Sequence, residues 1–245
     1  ILGGLFHPRK TAKNTPSHAV DFEIPVDGAM IGARFHYPKQ GGRTVLFFHG
    51  NGETVPDYDA IAPFFRDIGL NLFVVDYRGY GFSTGQPSVA NLMGDAETIH
   101  HFLQSNVQRP GLLPLLMGRS LGSGPATHLA SKYPDAYAGL ILESGFADVL
   151  PLLRVLRIEV PGHLESQVRE LLSNDHKLKA IQLPVLLLHG GQDTLIGPEN
   201  ARANFAAVPH NRKKLEIVAG AGHNNLLSYS DQYFGELANF IDFLK

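Results

Sequence analysis

The residues best suited to nucleophilic chemistry lie at Gly118-Arg119-Ser120-Leu121-Gly122, directly after the apolar run Leu112–Met117. An apolar run that passes into small residues reads as a buried strand ending in a sharp turn, with a small-residue helix, Leu121–Tyr133, behind it. A strained strand-to-helix turn of this kind holds a serine hydroxyl clear of the sheet. Any side chain at Gly118 or Gly122 would collide with the neighbouring strand and helix. A serine hydroxyl attacks poorly at neutral pH without an adjacent base. His223, in Gly220-Ala221-Gly222-His223-Asn224-Asn225, is the candidate base. Asp193, after His189-Gly190-Gly191-Gln192, is the candidate acid that orients the imidazole and stabilises its charged form. The three occur in the order Ser, Asp, His, one of the chain orders in which this constellation is built.

Each residue also has a plainer reading. Gly-x-Ser-x-Gly occurs in ordinary loops, His223 is one of 12 histidines, and Asp193 suits a turn or a helix cap. What favours chemistry is that all three follow strand-like segments. Glu143 and Asp148, after the strand-like Gly139–Leu142, are rival acids. An acyl-transfer site also needs two backbone N–H donors for the developing oxyanion. The residue after the serine, Leu121, supplies one. Asn51, in His49-Gly50-Asn51-Gly52, is expected to supply the other, with Gly50 and Gly52 letting the backbone approach substrate. Gly50 and Tyr80 are therefore expected at the substrate, Tyr80 and Tyr77 because Asp76–Gly81 reads as a strand-end turn held by Asp76 and Arg78. His49 reads as structural, and Arg119 as the partner of a nearby carboxylate. His100 and His101 are adjacent on a helix and face apart. No His, Asp or Glu cluster has ligand spacing, so neither a metal nor another cofactor is expected.

These residues need a scaffold that brings strand ends together. At 245 residues the chain can form one large α/β domain. It is 44% hydrophobic and 18% charged, with a net charge of −2, which gives no reason to expect nucleic acid or an anionic membrane as partner. With no cysteine, disulfides, thiolate metal sites and a cysteine nucleophile are excluded. No apolar segment reaches the ~20 residues that span a bilayer. The chain starts at Ile1 rather than Met, which leaves an upstream signal or anchor open; the cytoplasm is the default expectation. Nothing in the sequence sets the oligomeric state.

Ala19–Pro25 and Ala29–Tyr37 flank Asp27-Gly28 and read as a hairpin with a primed turn. Strand-like Thr44–His49, Leu70–Asp76, Leu112–Met117, Gly139–Glu143, Pro184–His189 and Lys214–Val218 follow. Each is apolar, as in strands buried on both faces. Helical patterns run over Asp57–Ile68, Val89–Leu103 and Asp231–Leu244. The expected architecture is an arm, 1–18, before a doubly wound, eight-stranded, mostly parallel sheet over 19–245 flanked by helices. In such sheets ligands sit beyond the carboxyl ends of the strands.

Taken together, His49–Gly52, Asp76-Tyr77-Arg78-Gly79-Tyr80-Gly81-Phe82-Ser83, Gly118–Gly124, His189–Asp193 and Gly222-His223-Asn224 resemble the α/β-hydrolase superfamily. Within it they look like the group of Bem46-like serine hydrolases, the α/β-hydrolase-domain 13 and 17 types, and relatives labelled serine aminopeptidase S33-like. The resemblance covers roughly residues 20–245. It implies an α/β-hydrolase fold with a triad of Ser120, Asp193 and His223, and an oxyanion hole of Asn51 and Leu121. It further implies cofactor-independent cleavage of carboxylic esters, thioesters or, less often, amides of a small-molecule substrate through an acyl-serine. Where many relatives carry a large lid, residues 148–183 read as a small amphipathic helical cap, with Leu150, Leu153, Val155, Leu156 and Ile158 able to cover the serine. Palmitoyl-cleaving members of the group have a cysteine-rich N-terminal anchor, so the resemblance does not extend to depalmitoylation. Two alternatives stand beside esterase chemistry: an S33-like aminopeptidase, which needs an acidic site for a substrate ammonium, and a catalytically idle binding module.

Overall fold

The computed structural model describes residues 3–38 and 41–245; residues 1–2 of the expected arm lie outside them. The strands are β1 (Ala19–Val26), β2 (Ala29–His36), β3 (Arg43–Phe48), β4 (Leu70–Val75), β5 (Leu115–Arg119), β6 (Gly139–Glu143), β7 (Val185–Gly190) and β8 (Lys213–Val218). They form one sheet in the order β1-β2-β4-β3-β5-β6-β7-β8. β2 is antiparallel to both β1 and β4, and every pairing from β4 to β8 is parallel. The helices are α1 (Ala62–Asp67), α2 (Val89–Asn106), α3 (Ser123–Lys132), α4 (Val149–Val155), α5 (Glu165–Leu172), α6 (Asn174–Leu178), α7 (Glu199–Ala207) and α8 (Ser230–Phe243).

The period of two along the strands builds two cores. Val45, Phe47, Leu115, Met117 and Ile141 point to the face covered by α1 and α8 through Phe65, Tyr233, Leu237 and Phe240. Leu46, Phe48, Leu116, Leu140 and Leu142 point to the other, covered by α2 and α3 through Leu92, Ile99, Ala126 and Leu129. β4, β5, β6 and β7 are buried along their whole lengths, which is why their sequences run apolar instead of alternating. The chain steps one way from β3 to β4 and then crosses back past β3 to β5, on its other side. A crevice therefore opens at the carboxyl ends of these strands.

Local departures from the sequence pattern have physical causes. In the β1–β2 hairpin only Gly28 takes a positive φ, 67°, and Asp27 does not, so the two-residue loop is not the expected primed turn; a single left-handed glycine at its second position suits a type II turn. The pattern over Asp57–Ile68 is two pieces, a 3₁₀ turn at Val55–Tyr58 and then α1. Pro63 has no N–H to continue a helix and sits instead in the first turn of a new one. Likewise β5 starts at Leu115, after Pro114, rather than at Leu112.

Candidate active site

Ser120 follows the last residue of β5 and has φ 50°, a left-handed conformation that a non-glycine residue adopts only under constraint. The constraint is packing. A Cβ on Gly118 would overlap the carbonyl oxygen of Gly122, and one on Gly122 would overlap that of Phe48. The Ser123 hydroxyl donates to the Ser120 carbonyl at 2.6 Å and ties the turn to the start of α3.

The structure brings the three separated residues together. His223 Nε2 lies 3.1 Å from Ser120 Oγ, and His223 Nδ1 lies 2.7 Å from Asp193 Oδ2. Asp193 also serves as a turn former, through its other oxygen. Oδ1 accepts from the backbone N–H of Leu195 at 3.0 Å and of Ile196 at 2.8 Å, which leaves Oδ2 for the imidazole. Burial alone would raise the pKa of this carboxyl. Hydrogen bonding from His189, His223 and the Ile196 backbone outweighs burial and holds it well below the usual carboxylate range. His189 itself is buried, with Nε2 2.7 Å from the Ile196 carbonyl. The rival acids are occupied elsewhere: Glu143 bonds Arg119 and Tyr233, and Asp148 caps α4 at Leu150 and pairs with Arg169.

A cavity of about 190 Å³ opens at Ser120. Asn51, Leu121, His223 and Asn224 stand at its polar end, and Leu5, Phe146, Val149, Leu152, Leu156, Leu172, Leu195 and Ile196 form its walls. The helical segment over 148–183 is present as α4, α5 and α6, but its phase differs from expectation. α4 turns Val149, Leu152 and Leu156 to the cavity, while Leu150 and Leu153 are buried and Val155 is 62% exposed. Positions i, i+3 and i+7 form one stripe, and the core takes the adjacent one.

Three residues expected at the substrate are elsewhere; Tyr77 is buried, and its hydroxyl donates to the His49 carbonyl at 2.5 Å. Tyr80 is fully buried, and its hydroxyl donates to Asn51 Oδ1 at 2.6 Å. It supports the loop of Asn51 and does not line the cavity. Gly50 also lies outside the lining. Its N–H donates to Glu53 Oε2 at 2.7 Å, and a Cβ there would run into the Arg119 guanidinium, so its glycine serves packing beneath the loop. His49 is buried, with Nδ1 2.8 Å from the Gly50 carbonyl, in keeping with a structural role. Arg78 pairs with Asp95 on α2, while Asp76 accepts from the Val55 N–H at 3.0 Å. His100 meets the Tyr137 hydroxyl at 2.7 Å.

The segment before β1 contributes what the sequence did not advertise. Asn51 Nδ2 donates to the Leu5 carbonyl at 2.6 Å, and Asn51 Oδ1 accepts from the His7 N–H at 2.9 Å. Arg9 donates to the Gly52 carbonyl at 3.1 Å and pairs with Asp57. The arm thus binds both ends of the Asn51 amide, its oxygen shared with the Tyr80 hydroxyl, and carries Leu5 and His7 into the cavity wall. The apolar pair Leu5-Phe6, both buried, was the one available signal.

Three comparisons bear on this geometry. The family model described as serine aminopeptidase S33 matches residues 40–169 and 164–228. The chain is 34% identical over 222 residues to alpha/beta hydrolase domain-containing protein 17C of Xenopus tropicalis, covering 87% of this chain and 66% of the relative. To the 17C protein of Homo sapiens it is 33% identical over 205 residues, covering 81% of this chain and 57% of the relative. It therefore spans less than two thirds of the length of these relatives. A Pyrococcus furiosus esterase structure, Pf2001, superposes with a TM-score of 0.78 at 18% identity, covering 96% of this chain and 98% of the other. The sheet order, the turn at Ser120 and these matches lead to one assignment: the chain belongs to the serine aminopeptidase S33 family of α/β hydrolases.

Proposed function

We propose that the protein is a serine hydrolase that cleaves carboxylic esters or thioesters through an acyl-serine intermediate, with Ser120, His223 and Asp193 as its triad. The observation that carries this reading is the hydrogen-bonded line from Ser120 Oγ at 3.1 Å to His223 and on at 2.7 Å to Asp193, at the mouth of an apolar cavity. Ser120 Oγ bonds to the substrate carbonyl carbon as its proton passes to His223 Nε2. The backbone amides of Asn51 and Leu121 hold the oxyanion. The bond to the alcohol or thiol then breaks, and the leaving group takes the proton back from His223. A water, deprotonated by His223, attacks the acyl carbon, and the Ser120 ester bond breaks as His223 returns that proton to Ser120 Oγ, releasing the acid and the free enzyme.

The walls argue for an acyl group as the bound part of the substrate. An apolar cavity of roughly 150 Å³ holds a six-carbon ring, so about 190 Å³ suits an acyl chain on the order of six to eight carbons. The family model's description favours a second reading, release of N-terminal residues from peptides. That chemistry needs a carboxylate for the substrate ammonium. Among the described residues no Asp or Glu lines the cavity, and Glu53 and Glu143 are both bound to Arg119. Turnover of p-nitrophenyl esters and acyl thioesters of graded length, beside aminoacyl amides, tests the choice. The expected result is a maximum at medium acyl length, lost in Ser120→Ala. Preference for the amides would favour the peptidase, and inertness toward all substrates would remove the hydrolase reading.

A further inference from the structure

Arg119 is the last residue of β5, directly before Ser120, and its guanidinium reaches the end of β6 and two loops. Nε donates to Glu143 Oε1 at 3.2 Å, and Nη1 is bound to Glu53 Oε1. Nη2 donates to the His223 carbonyl and to Asn224 Oδ1, each at 2.9 Å. The carboxylates are fixed from behind. Glu53 Oε2 accepts from the Gly50 N–H and from the Tyr58 hydroxyl, each at 2.7 Å, and Glu143 Oε2 accepts from the Tyr233 hydroxyl at 2.7 Å. One planar cation thus joins the loop carrying Asn51, the turn carrying Ser120 and the loop carrying His223.

We propose that Arg119 is a positioning residue for this site: by gripping the His223 carbonyl and the Asn224 side chain, it keeps the imidazole aligned with the Ser120 hydroxyl. The proposal rests on the reading of Ser120 and His223 as catalytic. The His223 loop needs such a grip, because Gly220-Ala221-Gly222 leads into it with little intrinsic stiffness. Gln192 holds its upstream half, its N–H donating to the Ala221 carbonyl at 2.8 Å; Asn225 Oδ1 accepts from the Gly222 N–H at 2.6 Å, and Asp193 meets the imidazole, while Arg119 grips the His223 backbone and the Asn224 side chain between them. A guanidinium suits the task, since its rigid fork reaches acceptors in several directions at once, whereas a lysine ammonium on a flexible stem does not. Buried ion networks add little net stability compared with well-packed apolar residues. A cluster of one arginine and two carboxylates, braced by two tyrosines beneath the serine, therefore fits geometry better than it fits stability.

The test uses the whole chain and a p-nitrophenyl ester. Arg119→Lys keeps the charge but loses the fork. Its kcat is expected to fall on the order of 10²-fold, as a shift of about 1 Å at a reacting group does, with KM changed less than about threefold. Asn224→Ala removes one exposed contact of the grip and leaves every charge in place, so it folds even if the other variants do not. It should lower kcat several-fold by the same pattern. In Arg119→Ala, guanidinium chloride at tens of millimolar should restore kcat at least tenfold over an equal concentration of tetramethylammonium chloride. A folded Arg119→Lys with wild-type kcat, a loss confined to KM, or guanidinium no better than the salt control overturns the proposal while leaving the triad reading intact. A wild type inert to the ester overturns both.

Discussion

At the residue scale, the central fact is that Asp193 divides its two oxygens between a turn and an imidazole. Removing the charge while keeping the turn separates those jobs. Asp193→Asn is expected to fold and to lose on the order of 10³–10⁴-fold in kcat, because the amide no longer selects the tautomer that leaves Nε2 free to accept the Ser120 proton. Circular dichroism and ester kinetics on one preparation check it. Were the variant to keep most of its kcat, Asp193 would be a turn former alone. The meeting of Ser120, Asp193 and His223 was legible in the sequence because glycines precede each of them and each follows an apolar run. Tyr80 was misjudged because sequence proximity to the strand ends says nothing of which way a side chain points, and Gly50 because a glycine read as room for substrate instead makes room for the Arg119 guanidinium. Tyr80 points into the protein, where its hydroxyl meets Asn51.

At the element scale, α4 supplies part of the cavity wall. Leu152 lies on the stripe facing the serine, next to Leu156 and Val149. Leu152→Trp should fill much of the roughly 190 Å³ and lower kcat/KM for medium-chain esters at least tenfold, while turnover of the acetate stays within a few-fold. An equal loss on acetate and on longer esters would mean that the acyl group lies elsewhere. The amphipathic character of this segment was readable in the sequence, but its rotational phase was not, since two adjacent apolar stripes compete for the core. The arm before β1 was hidden for a different reason. Its bonds to Asn51 use backbone groups, the Leu5 carbonyl and the His7 N–H, which carry no residue-type signature. Helix Asp57–Ile68 failed because an apolar period was read through Pro63.

At the scale of the whole molecule, the eight-stranded, mostly parallel sheet was the most legible feature, because a strand buried on both faces leaves a long apolar run that few other elements produce. The interior also sets a pH dependence. Burial lowers His36 from its ordinary 6.5 to about 3 and His100 to about 4, so both are neutral in the folded protein. The unfolded chain takes up protons on both below about pH 6.5, whereas the folded protein does not until about pH 4 and then 3. Stability is therefore full above pH 6.5 and declines as pH falls toward those values. For a domain of this size ~1 kcal/mol moves Tm by about 2–4 °C. Calorimetry between pH 7 and pH 4 should show a fall of several degrees that is shallower in His36→Leu. A variant slope as steep as the wild type would show that His36 is not a source. The claim on which the rest depends is that acyl transfer passes through Ser120. Rapid-quench peptide mass spectrometry during turnover of p-nitrophenyl octanoate tests it most directly. The account predicts an added octanoyl group on the peptide containing Ser120, absent in Ser120→Ala along with turnover. Steady hydrolysis with no adduct, undiminished in Ser120→Ala, would contradict it.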